Sequence, residues 1–116
     1  MSPITTHVLD TARGRPAAGV PVLLELLLDQ RAGSEEWAER GRGTTDADGR
    51  IEDLVTGPLA PGVYRLTFDT AVYFRSLKVE GFYPYVAIVF EIRDPTQHHH
   101  VPLLLSPFGY STYRGS

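Results

Sequence analysis

Cysteine is absent from all 116 residues of the sequence, which excludes disulfide bonds and thiolate chemistry. A long apolar run is absent too, because the longest one, VPVLLELLL, carries Glu25 and is too short to span a bilayer. An excess of basic charge is also lacking, since 14 acidic side chains outnumber 11 basic ones and leave a net charge of -3. The composition therefore gives no reason to expect nucleic acid or a membrane as a partner.

Several sequence signals are also lacking. The first ten residues, MSPITTHVLD, have neither the basic segment nor the apolar run of a signal peptide, so we expect a cytoplasmic protein. The sequence contains no phosphate-binding glycine loop, no GxSxG elbow and no HExxH motif. The carboxylates are scattered without an obvious acid pair.

Frequent turns separate short β-type segments along the whole chain. RGRPAAG, DADG, TGPLAPG, EGFYP and SPFG are rich in turn-forming residues, and the segments between them are rich in Val, Leu, Ile, Tyr, Phe and Thr. This pattern predicts an all-β sandwich or barrel forming a single domain over residues 1–116. The predicted strands are residues 5–10, 20–29, 36–45, 50–55, 62–69, 86–93, 98–106 and 110–115. One short helix is predicted after Asp69, which can serve as its N-cap.

The segment 101–113 carries no charged residue. High β-propensity combined with apolar character is typical of a strand that aggregates when it is exposed. We expect either a partner subunit to cover it or the segment to be a central core strand. Pro102 favours the first alternative, because proline lacks a backbone donor and prefers sheet edges.

The four histidines fall in two places, His7 near the start and His98, His99 and His100 near the end. If the second segment is extended, His98 and His100 share one face and His99 lies on the other. With His7 they could form a cluster suited to acid–base catalysis or to a metal. A solvated histidine run is the third alternative.

Arg50 follows the turn sequence DADG and begins a predicted strand. It is either an ordinary surface arginine or a planar cation that grips an anionic or imide-like ligand. The terminal tetrapeptide YRGS raises the same question for Tyr113 and Arg114.

Two long segments, HVLDTARGRPAAGVPV and HHVPLLLSPFGYS, resemble the two signature segments of the transthyretin family. The terminal YRGS is similar to that of the enzymatic branch, the 5-hydroxyisourate hydrolases, and GVYRLTFDTAVYF, FYP and VAIVFEI resemble that branch as well. The resemblance covers essentially the whole chain. It implies an eight-stranded β-sandwich of two four-stranded sheets with one short helix, assembled as a homotetramer (a dimer of dimers).

The resemblance also implies an activity in purine catabolism. The expected reaction is hydrolysis of 5-hydroxyisourate to 2-oxo-4-hydroxy-4-carboxy-5-ureidoimidazoline, on the path from urate to allantoin, without a metal or another cofactor. The family's catalytic positions match His7, Arg50 and His100. The substrate-binding set adds His98, Tyr113 and Ser116, which complete the expected site between dimers.

Two positions depart from the family pattern. His99 stands where the family more often has tyrosine, and we expect it to face away from the site by alternation. Tyr85 stands where an acidic residue is expected, and we interpret it as peripheral. Two other functions compete with the hydrolase: a carrier of small aromatic hormones, and a protein that holds zinc through three imidazoles.

Overall fold

Eight strands and one helix are formed by the residues that the computed structural model describes, 2–31 and 33–116. The strands make two four-stranded sheets, in the orders β2-β1-β7-β8 and β4-β3-β5-β6. The predicted all-β sandwich of two four-stranded sheets with one helix is therefore confirmed. The elements are β1 Ile4–Asp10, β2 Arg15–Pro16, β3 Pro21–Arg31, β4 Ser34–Thr44, β5 Gly62–Phe68, α1 Thr70–Ser76, β6 Val86–Ile92, β7 His99–Ser106 and β8 Gly109–Thr112.

The core lies between the two sheets because alternate residues of each strand point inward. In β1 the inward positions are Ile4, Thr6, Val8 and Asp10, and all four are buried. Large side chains from the other strands meet them there: Tyr64, Leu66, Phe68, Val101, Leu103 and Leu105. Each large apolar side chain buried in this way contributes roughly 1.5–3 kcal/mol to folding.

Strands β1 and β7 lie side by side in parallel, with a continuous register from Ile4 opposite His99 to Asp10 opposite Leu105. Strand β7 is therefore an inner strand, and its core-facing side chains are buried. Residues 101–106 of the uncharged segment 101–113 are thus covered within one chain, as the second alternative predicted. The rest of the segment includes β8, which lies at the sheet edge and has largely exposed side chains.

The short helix α1 begins after Asp69, as predicted. The Asp69 carboxylate accepts a hydrogen bond from the backbone N–H of Val72 at 3.3 Å, which satisfies one of the free donors of the first turn. Thr70, Tyr73 and Phe74 turn the buried face of the helix toward the sandwich. No helix in the part of the chain that the structure describes is long and apolar enough to cross a membrane.

The predicted strand at 50–55 is wrong. Arg50 forms only an isolated antiparallel bridge with His7, and the chain then turns. The eighth strand is instead the two-residue β2, which pairs with the end of β1. The physical reason is visible in the burial pattern: Ile51, Leu54 and Val55 are buried, and this spacing does not follow the two-residue period of a strand.

A buried polar network ties α1 to the end of β1. The Tyr73 hydroxyl donates to Oδ2 of Asp10 at 2.6 Å, and Oδ1 of Asp10 accepts the backbone N–H groups of Ala12 and Arg13, each at 3.1 Å. Burial, together with the neighbouring Asp10 carboxylate, raises the pKa of Tyr73 above its ordinary value. The phenol therefore stays protonated and remains a donor to the buried carboxylate.

We expect Tyr73→Phe to lower the free energy of unfolding by about 1.5–3 kcal/mol, because a buried carboxylate loses its phenolic donor. Urea unfolding followed by tryptophan fluorescence or circular dichroism measures this change. Tyr85→Phe is the matched control, since it removes a hydroxyl from a tyrosine that is 58% exposed. Equal stability changes in the two variants would contradict a structural role for the Tyr73–Asp10 bond.

Candidate active site

The pairing of β1 with β7 brings residues from the two ends of the chain together on the outer face of one sheet. Thr5 lies opposite His100, and His7 lies opposite Pro102. Because side chains alternate, Thr5 and His7 point to the face away from the core, as does His100. His98 directly precedes β7 and joins them on this side. The predicted shared face of His98 and His100 is thus observed.

A single hydroxyl connects the two rings. Oγ1 of Thr5 lies 2.8 Å from Nε2 of His98 and 2.8 Å from Nδ1 of His100. The two imidazoles stack with their centroids 6.4 Å apart and their planes 26° from parallel. Sequence reasoning missed Thr5, although its position two residues before His7 places it on the same strand face.

His99 occupies the opposite side of the strand, as alternation predicted. It is only 6% exposed, and its Nδ1 lies 2.9 Å from the backbone carbonyl oxygen of Gln97. The residue that departs from the family pattern therefore contacts the core rather than His98 and His100. Tyr85 also lies elsewhere, beside a cavity on the other sheet.

A tight turn over residues 46–50 positions Arg50. Oδ1 of Asp46 accepts the backbone N–H groups of Asp48 and Arg50, at 2.9 and 3.0 Å. Gly49 adopts a φ of 75°, which favours glycine, and its carbonyl oxygen accepts the backbone N–H of Val8 at 2.8 Å. The turn is thereby attached to β1, and the backbone of Arg50 forms an isolated antiparallel β-bridge with the backbone of His7.

The C-terminal residues return to the same face. The backbone N–H of Gly115 donates to the carbonyl oxygen of His100 at 2.8 Å, which makes an isolated bridge after β8. A Cβ atom at position 115 would collide with the His100 ring at Cδ2. Glycine is therefore required for this close approach, and Ser116 follows beside the histidines.

These groups line an open cleft of about 380 Å³. Its lining residues are Ser2, Thr5, Thr6, Arg50, Ile51, Glu52, His98, His100 and Ser116. His7 lies beside the cleft through its bridge to Arg50. A larger cavity of about 480 Å³ lies on the other sheet, but it brings none of the candidate residues together.

Tyr113 is the candidate residue that this chain does not bring to the cleft. It is 57% exposed and lines a separate cavity of about 240 Å³ with His99, Val101 and Arg114. The Arg114 guanidinium donates to the side-chain oxygen of Gln97 at 3.1 Å, which holds the tail on that side. The cleft of one chain is therefore assembled without the tyrosine.

The electrostatics of the cleft favour a neutral His100. Burial lowers the pKa of His100 below its ordinary value of 6.5, and the electrostatic influence of His98, His7 and Arg50 lowers it further. The hydrogen bond with Thr5 opposes this shift in part. At neutral pH the ring therefore carries a free lone pair, which suits a general base.

The described residues contain no group of three His, Cys, Asp or Glu side chains arranged to hold a metal ion. Nε2 of His98 and Nδ1 of His100 both lie within hydrogen-bond distance of the same threonine hydroxyl. The arrangement can supply a base, a second titratable imidazole and a permanent cation. Those three groups suit the addition of water to a carbonyl and the stabilisation of the resulting oxyanion.

The chain is similar to known proteins along nearly its whole length. The model of the HIUase/Transthyretin family matches residues 4–115. A 5-hydroxyisourate hydrolase of Mus musculus is 50% identical over 116 residues, covering 99% of this chain and 96% of that protein.

Two solved structures share the fold. The 5-hydroxyisourate hydrolase of Klebsiella pneumoniae superposes with a TM-score of 0.77 at 37% identity, covering 97% of this chain and 92% of that one. Transthyretin of Sparus aurata gives a TM-score of 0.86 at 32% identity, covering 97% and 96%. The extent of these matches, from the first strand to the terminal tetrapeptide, shows that the chain belongs to the HIUase/transthyretin family.

Proposed function

We propose that His7, Arg50 and His100 carry out the hydrolysis of 5-hydroxyisourate in this protein. The protein is a cyclic amide hydrolase of urate degradation, and the product is 2-oxo-4-hydroxy-4-carboxy-5-ureidoimidazoline. One observation supports the site assignment above the others: imidazoles and a guanidinium that are remote in the sequence meet at one cleft. The 50% identity with a named hydrolase over 99% of the chain supports the substrate.

In the proposed first step, neutral His100 takes a proton from a water molecule, and the resulting hydroxide adds to the carbonyl carbon of the scissile ring amide. Arg50 offers fixed N–H donors to the oxyanion that forms on the carbonyl oxygen. His7 then donates a proton to the leaving nitrogen as the carbon–nitrogen bond breaks. The ring opens to a carboxylic acid, which releases its proton to solvent and becomes a carboxylate. Return of one proton from His100 to His7 through solvent restores the site, and all steps proceed without a cofactor.

The remaining candidate residues hold the substrate in this proposal. His98 and Ser116 line the cleft beside the reacting groups. Within its own chain, Tyr113 lies beside a different cavity. In this proposal, Tyr113 therefore reaches the cleft of another protomer in a homotetramer. Exposed Tyr110 on the edge strand β8, and exposed Val89 on the edge strand β6, support an assembly that covers these edges.

The first prediction from this proposal concerns the three proposed catalytic side chains. His7→Ala, Arg50→Ala and His100→Ala should each lower kcat/KM by at least about 100-fold, because each removes an acid–base or oxyanion group. The assay follows ultraviolet absorbance of 5-hydroxyisourate that urate oxidase has just generated. His99→Tyr is the matched control, since this histidine faces the core, and it should keep the parent rate.

Parent-like decay rates in all three alanine variants would refute the site assignment. Binding of a thyroid hormone without any hydrolysis by the parent protein would favour the carrier alternative. Unchanged activity after treatment with EDTA is expected, and loss of activity that zinc restores would favour the metal alternative.

The second prediction concerns pH. Because the pKa of His100 lies below 6.5, kcat/KM should stay high at neutral pH and fall as pH drops through that lowered pKa, where the base becomes protonated. Arg50→Gln removes a nearby cation, so the pKa of His100 should rise, as measured by an NMR titration of the ring. Arg93→Gln, on the other sheet, is the control, and an equal shift in both variants would contradict the proposed electrostatics.

The third prediction concerns assembly. Light scattering after size-exclusion chromatography should give about four times the protomer mass, because this assembly covers two exposed sheet edges and brings Tyr113 to the cleft of another protomer. Tyr113→Ala should raise KM or lower kcat even where the tetramer remains intact. A fully active species with the mass of one protomer would overturn both the assembly and the role of Tyr113.

A further inference from the structure

Thr5 places one hydroxyl within hydrogen-bond distance of two histidine rings, those of His98 and His100. A hydroxyl has a single proton, so it can donate to only one of the two nitrogens that lie 2.8 Å away. Towards the other nitrogen its oxygen must act as an acceptor, and that nitrogen must carry a hydrogen. The protonation patterns of His98 and His100 are therefore coupled through Thr5.

Two arrangements satisfy these contacts when both rings are neutral. In the first, Nδ1–H of His100 donates to Thr5, and the Thr5 hydroxyl donates to Nε2 of His98. In the second, the direction of both hydrogen bonds is reversed, so that Nε2 of His98 carries the hydrogen and Nδ1 of His100 accepts. Only the first leaves Nε2 of His100 with a free lone pair, because a neutral imidazole carries one hydrogen.

We propose that Thr5 is a positioning residue that holds His100 in the Nδ1–H tautomer, so that Nε2 of His100 is the basic nitrogen facing the substrate. This inference rests on the proposed function, in which His100 is the general base. In this role Thr5 acts through the His100 ring and not on the reacting atoms. Its effect is to select which of the two ring nitrogens can accept a proton.

The charge of the cleft favours this arrangement over its reverse. Arg50 lines the same cleft as His100, and its guanidinium is a permanent cation that acts on the His100 ring. A nearby positive charge stabilises a lone pair and repels an N–H dipole. Since Nδ1 bonds Thr5, Nε2 is the nitrogen left to interact with this cation, and it should be the one without hydrogen.

The surroundings of His100 hold the ring so that this selection persists. Thr5 is β-branched and lies on a paired strand, which limits the directions that its hydroxyl can take. Gly115 packs against Cδ2 on the other edge of the ring. The ring is thus contacted at Nδ1 by the hydroxyl and at Cδ2 by the tail, which restricts its rotation.

The test compares Thr5→Val, which keeps the shape and removes the hydroxyl, with Thr5→Ser, which keeps the hydroxyl. Long-range ¹⁵N–¹H NMR of the histidine-labelled full chain reports the tautomer of each ring, with assignments from single His→Gln variants. In the parent, Nε2 of His100 should give the signal of an unprotonated nitrogen. Thr5→Val should convert His100 to a mixture of tautomers, and Thr5→Ser should restore the parent pattern.

Kinetics provide the second readout. Thr5→Val should lower kcat about tenfold with little change in KM, as expected when an interaction is lost that only the transition state needs. Thr5→Ser should recover most of the rate. Thr11→Val is the matched control, because it removes a threonine hydroxyl that bonds Leu105 at the far end of the same strand pair. It should leave both the tautomers and kcat unchanged.

Either of two results would overturn the inference: an Nε2–H tautomer of His100 in the parent, or a Thr5→Val variant with parent tautomers and parent kcat. If Thr5→Val does not fold, as judged by its amide NMR spectrum, Thr5→Ala provides the same comparison. The NMR readout needs no substrate. A parent that shows the predicted tautomer but leaves 5-hydroxyisourate intact would therefore refute the proposed function while supporting the role of Thr5.

Discussion

The parallel pairing of β1 with β7 is the contact on which the site depends. It joins the first ordered strand to one near the end of the chain, and it places Thr5 opposite His100. The inner face of the same pairing buries Ile4, Val101 and Leu103 in the core. Because one register serves both faces, the apolar side chains that stabilise the sandwich also hold the histidines in position; a shift by one residue would turn the polar set inward.

In the proposed reaction the base is the His100 ring, which must remain neutral. Burial lowers the pKa of this ring most, and the influence of His98, His7 and the Arg50 cation, which the Asp46 turn positions, lowers it further. The same cation is well placed to stabilise an oxyanion. In the proposed reaction, one electrostatic arrangement thus keeps the base neutral beforehand and stabilises the charge that develops. The proposed role of Thr5 adds a choice between the two ring nitrogens of His100, since its hydroxyl bonds Nδ1 and leaves Nε2 to act.

Much of the fold could be predicted because alternation and turn residues are local signals. Strands β1, β5 and β6 and the helix after Asp69 lie close to the bounds that these local signals predict. The segment after Arg50 was wrongly predicted as a strand, because Ile51, Leu54 and Val55 are buried in an irregular turn and lack the two-residue spacing of a strand. The two-residue β2 was missed for a related reason: so short a strand exists only because the end of β1 is there to pair with it.

The sequence by itself determined which chemical groups the protein has: four imidazoles, an arginine after a tight turn, no thiols, and an alternation that separates His99 from its neighbours. Only the tertiary structure decided which of them meet. The direction and register of a strand pair between distant segments leave no local trace, so Thr5 could not be recognised as the link between His98 and His100. The same pairing decided that Gly115 packs on the His100 ring and that Tyr113 lies beside a different cavity.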